Sequence, residues 1–155
     1  MKNIILAVAA TAAFATATPA MAEDFTGLRV EGTIGVDDAT RIPERADLNY
    51  GAAVGIDAPL LGDDLIVGVE ANVDNVFDYR DFGVAGRIGY KVTDSVLVYG
   101  KAGYADFRGL EGVRVGGGLE VALFGRAYTK AEYRYSDLEA DAGRHQALVG
   151  FGIRF

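Results

Sequence analysis

The sequence predicts an all-β protein, an eight-stranded antiparallel up-and-down transmembrane β-barrel preceded by a cleaved signal peptide. Three observations predict it. After residue 22, apolar residues recur at every second position in eight segments, the period of a strand and not of a helix. Within the cores of those segments the Lys, Arg, Asp and Glu residues fall on one face, and most of the apolar residues fall on the other. The connections alternate between short and longer ones, as they do when an even number of strands closes with both termini at the short-turn end.

The N-terminal residues stand apart from this pattern. Lys2 precedes an uncharged, Ala-rich run over Ile4–Ala17, and Pro19-Ala20-Met21-Ala22 has the small-x-small form of a signal-peptidase site. Residues 1–22 are therefore expected to be a signal peptide and residues 23–155 the barrel domain. A transmembrane helix fits less well, because Thr11, Thr16, Thr18 and Pro19 dilute the run. Only Lys2 leaves with the leader, so 14 basic and 22 acidic residues remain and the net charge is −8. Such a surface repels nucleic acid. With no cysteine, the mature chain has neither disulfides nor a lipid-anchoring thiol.

The eight strands follow in order. Thr26–Asp37 sets Leu28, Val30, Ile34 and Val36 against Arg29, Glu31 and Thr33. Leu48–Ala58 sets Tyr50, Val54 and Ile56 against Asn49, Gly51, Gly55 and Asp57. Leu65–Asp74 sets Val67, Val69 and Val73 against Gly68, Glu70, Asn72 and Asp74. Asp81–Val92 sets Phe82, Val84, Ile88 and Tyr90 against Gly83, Arg87 and Lys91. Val96–Phe107 is less regular, because Leu97 and Tyr99 share a face with Lys101. Gly112–Leu123 sets Val113, Val115 and Leu119 against Arg114, Gly116, Gly118 and Glu120. Ala127–Ser136 sets Ala131, Tyr133 and Tyr135 against Lys130, Glu132 and Arg134. Arg144–Phe155 sets Val149, Phe151, Ile153 and Phe155 against Gly150, Gly152 and Arg154.

Alternation alone suits a soluble sandwich as well. The glycines on the charged face point elsewhere, since they leave room for long side chains to cross a narrow lumen. The segments match the roughly 9–11 tilted residues that span a bilayer. Closure is then required, because an open sheet edge in hydrocarbon leaves backbone groups unpaired. The last strand is expected to pair with the first. Short turns are expected at Pro59–Asp64, Thr93–Ser95 and Phe124–Arg126, and longer loops at Asp38–Asp47, Asn75–Arg80, Arg108–Glu111 and Asp137–Gly143. Tyr50, Phe82, Tyr104, Tyr133 and Tyr135 fall near the long-loop ends, and Tyr90, Phe124 and Phe155 near the short-turn ends. Two interfacial aromatic girdles are expected from this distribution.

The segment "YTKAEYRYSD" at Tyr128–Asp137 and the terminal "ALVGFGIRF" resemble the small outer-membrane β-barrel proteins of Gram-negative bacteria. The resemblance is to the opacity-protein-like, porin-family group, which shares its barrel with the transmembrane domain of outer-membrane protein A. It implies export to the cell outer membrane and a terminal strand read by the barrel-assembly machinery, with Val149, Phe151, Ile153 and Phe155 as the assembly signal. Two features depart from the group. The outer connections run to only about 4–10 residues, shorter than those of opacity adhesins, and no cell-wall-binding domain follows the barrel. Adhesion through large loops and peptidoglycan anchoring are therefore not expected.

An eight-stranded barrel has a lumen that side chains nearly fill. The inward charges are expected to be Arg29, Arg87, Lys91, Lys101, Arg114, Lys130, Arg134 and Arg154, facing Glu31, Asp57, Glu70, Glu120 and Glu132. Buried charges persist when paired, so a satisfied salt-bridge network is expected; the alternative is a narrow gated ion pore in which the pairs exchange partners. A third possibility is a soluble periplasmic carrier of the lipocalin kind, with the apolar faces turned inward.

Catalysis is not expected. His145 is the sole histidine, and Ser95 and Ser136 are the only serines of the mature chain. Strand parity turns Ser136 inward and His145 outward, beyond the reach a nucleophile and its base require. The residue set excludes ordinary zinc or copper sites. The acidic stretches at Asp37-Asp38 and Asp137–Asp141 fit solvated loop tips better than a Ca²⁺ or Mg²⁺ site. "GGG" at Gly116–Gly118 reads as lumen space, since it lacks the Lys-Ser/Thr and helix of a phosphate loop. No cofactor is expected. The expected role is structural or surface-exposed: envelope integrity, surface antigen or contact. Its partners would be outer-membrane lipid and, during biogenesis, the assembly machinery, with a monomeric barrel.

Overall fold

The computed structural model describes residues 25–39, 47–76, 79–107, 109–138 and 142–155. The predicted leader lies outside them. The chain forms eight strands: β1 (Gly27–Ala39), β2 (Asp47–Leu61), β3 (Leu65–Val76), β4 (Tyr79–Thr93), β5 (Val96–Phe107), β6 (Leu110–Ala122), β7 (Ala127–Leu138) and β8 (Ala142–Arg154). Each pairs antiparallel with its neighbour in sequence, and β8 closes on β1. The seam continues past the ladder: Phe155 N–H donates to the Leu28 carbonyl at 2.8 Å, and Leu28 N–H donates to the Phe155 carbonyl at 3.2 Å. No sheet edge remains.

The register fixes the shape. Stepping from Leu28 to its opposite number on each strand passes Ile56, Val69, Gly86, Ala102, Val115, Tyr135 and His145. It then returns to β1 at Asp38, ten residues beyond the start. With usual strand spacings, eight strands and a shear of ten give a tilt of about 40° and a backbone radius of about 8 Å. Such a tube is just wide enough for opposing side chains to meet.

The strands run longer than the apolar pattern suggests, and the loop rhythm weakens accordingly. Between the last residue of one strand and the first of the next, three, two and four residues separate the pairs at the end holding the termini. Seven, two, two and three do so at the other. Only the β1–β2 connection is long. The polar ends of the other hairpins keep their ladder hydrogen bonds, so Tyr79–Arg80 and Leu110–Glu111 are strand rather than loop. The tight turns need left-handed backbone, and Gly62 (φ 70°) and Gly125 (φ 55°) supply it.

The face assignment holds for the apolar and charged residues of the strand cores. Leu28, Val54, Val69, Val84, Val98, Val115 and Ile153 are exposed on the outside, and the charged residues of the strand cores are inside. Tyr50, Phe82, Tyr104 and Tyr135 lie at one level, and Tyr90 and Phe155 at another about 20 Å away by the register and tilt. The glycines divide between the faces. Gly32, Gly86, Gly100 and Gly117 share the parity of the apolar residues, so glycine is not confined to the lumen. Of the triplet Gly116–Gly118, the outer two face inward and the middle one faces outward.

Candidate functional site

The lumen is filled in layers. At the terminal end Phe25, Ile66 and Leu97 are fully buried and pack together, with Ala122 against them. Ile66 and Leu97 have inward parity, which accounts for the irregular start of β5. Phe25 precedes β1 and turns into the mouth, where the Arg154 guanidinium lies 5.0 Å from its ring centroid and 4.6 Å from that of Tyr128. The result is an apolar floor capped by one stacked cation, Arg154.

Above the floor lies a continuous ion-paired network. Asp57 accepts from Arg29 Nε and from Arg87 Nε, each at 2.9 Å. Glu120 takes Arg87 at 2.9 Å and also Arg154. Arg29 reaches upward to Glu70 at 2.8 Å. Glu70 and Glu132 hold Lys101 between them at 2.7 and 2.6 Å, while Lys130 bridges Glu31 and Glu132. Two tyrosines complete this level: Tyr128 donates to Glu31 and Tyr99 to Glu132, both at 2.6 Å. Arg134 pairs with Glu132 and, at 2.7 Å, with Asp74. Nearest the loop end a second set joins Arg144 to Asp37 and Asp81, with Arg114 on Asp81 at 2.6 Å. Gln146 also donates to Asp37, at 2.9 Å.

Among the described residues the buried cations number eight (Arg29, Arg87, Lys101, Arg114, Lys130, Arg134, Arg144 and Arg154). The buried anions also number eight (Glu31, Asp37, Asp57, Glu70, Asp74, Asp81, Glu120 and Glu132). The buried charges of the described residues therefore balance. Each carboxylate takes at least one cation, as buried charges require.

Every inward charge expected from parity is buried except Lys91, which is half-buried at the terminal rim. Four further partners complete the network: Asp37, Asp74, Asp81 and Arg144. Asp74 and Asp81 were legible as inward by parity. Asp37 and Arg144 sit at strand ends, where acidic and basic residues suggest loop tips. Asp37 is in fact fully buried, because its strand runs on to Ala39 and its carboxylate is held by Arg144 and Gln146. Asp137 is exposed as expected of a loop-end residue, whereas residues 139–141 lie outside the described chain. Among the described residues no group of three or more His, Asp or Glu is placed to hold a metal.

Among the described residues neither serine lies beside the histidine. Ser136 is fully buried and accepts from Arg114 Nε at 2.8 Å. His145 faces outward, its Nδ1 2.6 Å from the Tyr133 hydroxyl and its ring 4.9 Å from that of Tyr135. Ser95 lies in a turn at the opposite end. In the closing strand Phe151, Ile153 and Phe155 are exposed on the outer face, and Val149 is half-buried there.

An outside that is apolar between two aromatic levels, around an inside that is charged and neutral overall, is built for a bilayer. The family model for the outer membrane protein beta-barrel domain matches residues 6–155. The chain belongs to that family. This outer-membrane barrel is similar in fold to several solved structures. Ail, the attachment invasion locus protein of Yersinia pestis, is 15% identical with a TM-score of 0.62 over 84% of this chain and 97% of that one. The N-terminal β-barrel domain of Pseudomonas aeruginosa OprF is 16% identical with a TM-score of 0.57, covering 84% and 99%. The outer membrane enzyme PagL is 14% identical with a TM-score of 0.60, covering 82% and 99%. No curated protein matches the sequence. Identities this low speak to the fold alone.

Proposed function

We propose that this outer-membrane barrel is a closed, non-catalytic structural protein of the envelope, exported by its signal peptide. It presents short acidic loops at the cell surface, where it serves integrity, antigenicity or contact. The observation that carries this reading is the lumen, whose eight cations and eight anions pair with one another above an apolar floor. A conducting path needs loosely held charges and water; here carboxylates are shared between cations and the floor has no polar side chain. PagL shows that a similar fold supports enzyme chemistry, but Ser136 and His145 face opposite sides of the wall. The terminal strand, ending in Phe155, is proposed as the segment taken up by the assembly machinery, and the barrel as a monomer.

Cell fractionation with heat-modifiability gels tests this. The mature chain, shortened by the leader, should partition with outer membranes and migrate faster unboiled than boiled. A soluble periplasmic protein with identical unboiled and boiled mobility would support the lipocalin-like carrier and overturn the proposal.

A further inference from the structure

We propose that Phe25 is a clasp for the β1–β8 seam: it seats only after β8 has paired with β1, and once seated it keeps that seam from opening. The inference concerns the closed barrel and holds whatever solvent surrounds the wall.

Phe25 lies outside the ladders. The β1 pairing with β2 begins at Gly27 and the pairing with β8 at Arg29, so no strand partner orders Phe25. Its direction is set by the turn at Gly27, whose φ of 99° is left-handed. A Cβ on Gly27 would collide with the Phe155 carbonyl oxygen. The chain therefore makes this turn flat against its last residue. One step on, Leu28 and Phe155 exchange both backbone hydrogen bonds. The tether of Phe25 is thus aimed by the seam itself.

The seat also depends on β8. Phe25 is fully buried against Ile66 of β3 and Leu97 of β5, with Ala122 of β6 beside them. A further side is the Arg154 guanidinium, 5.0 Å from the Phe25 ring centroid and 4.6 Å from that of Tyr128. Arg154 is the last strand residue of β8, and Glu120 of β6 holds it in the mouth. Until β8 lies between β7 and β1, this cation has no fixed place and the seat lacks a side.

Pairing the first strand with the last closes the longest loop in the chain, at the largest closure entropy of any ladder. Seat and tether both wait on that step. The Phe25 contacts therefore form after it and are absent from the transition state for folding. Such contacts slow unfolding and leave the folding rate unchanged. They also resist local opening, because parting β1 from β8 moves Gly27 away from Phe155 and draws Phe25 out of the floor. A strand pair with nothing seated beyond its end frays there at little cost.

The test is amide hydrogen exchange by NMR on the mature barrel refolded in detergent micelles. The quantity read is the exchange of the seam amides of Leu28 and Phe155 relative to the amides of the β4–β5 ladder. Phe25→Ala should speed the seam amides at least about tenfold more than the β4–β5 amides. Leu97→Ala removes apolar contact from the same floor but leaves the tether in place, so it should not change the ratio. Gel mobility gives a second readout: Phe25→Ala should unfold about a hundredfold faster and refold at the wild-type rate. Where Phe25→Ala does not fold, Phe25→Leu, which keeps apolar bulk but loses the ring beside Arg154, should give the same pattern at smaller size. Equal acceleration of both sets of amides, an unchanged ratio, the same ratio from Leu97→Ala, or slower refolding would each overturn the clasp.

Discussion

Arg29 and Arg154 stand directly opposite each other across the β1–β8 seam. Two like charges in that position would repel on an ordinary sheet. Here each turns to a different acid. Arg29 takes Asp57 and Glu70, and Arg154 takes Glu120, with Asp57 3.9 Å away. The closing seam therefore depends on carboxylates contributed by β2, β3 and β6. Closure of the barrel and neutrality of the lumen are one requirement.

Asp57 is the acid most exposed to this logic, since it also accepts from Arg87. Asp57→Asn should cost about 3–5 kcal/mol, the penalty for breaking a buried pair and stranding its partner. Urea titration of the folded barrel, followed by gel mobility, checks this; an unchanged midpoint would show that the arginines find other partners.

Side-chain direction gives a second contrast. Val69→Arg, on the lipid face, should cost about 2–4 kcal/mol. Its neighbour Gly68 faces the lumen, where parity alone suggests a tolerant site for Ala. The structure corrects that expectation. A Cβ there would collide with the Asp57 carboxylate and come within 2.7 Å of the Ile56 carbonyl. Gly68→Ala should therefore cost about 1–3 kcal/mol, as overpacking does, while Gly86→Ala on the open outer face should be near neutral. The same urea titration separates the three.

That contrast also shows what could be read from the sequence. Period-two alternation gave the strand number, the two faces and most of the lumen charges, because parity is a local property of a strand. Partners were not legible. Arg144 and Asp37 are 107 residues apart and meet only because β8 closes on β1 with a shear of ten. Phe25 carries no local signal at all, since it lies before the first strand and its burial depends on the Ile66–Leu97 floor. Parity puts Gly68 in the lumen and Gly86 outside, but only the neighbours across the ladder show that the lumen position has no room for a Cβ.

The terminal residue allows assembly to be separated from stability. Phe155 contributes two backbone hydrogen bonds to the seam through its N–H and carbonyl, while its side chain is exposed on the outside. Deleting the residue removes both functions; Phe155→Ala removes only the side chain. Phe155→Ala should slow machinery-assisted insertion into vesicles while leaving the urea midpoint within about 1 kcal/mol, typical of a surface change. Equal losses in rate and stability would mean that the ring serves packing rather than recognition.

The floor makes a final stability prediction. Phe25 is fully buried against Ile66 and Leu97, so Phe25→Ala should cost about 3–5 kcal/mol. A mutant as stable as the wild type would show that the N-terminal segment does not occupy the mouth.

The closed lumen is tested most directly by single-channel recording in planar bilayers. A barrel whose interior charges are mutually paired above an apolar floor should insert without conductance steps across the applied voltage range. Reproducible, unitary steps from the purified wild-type protein would contradict it.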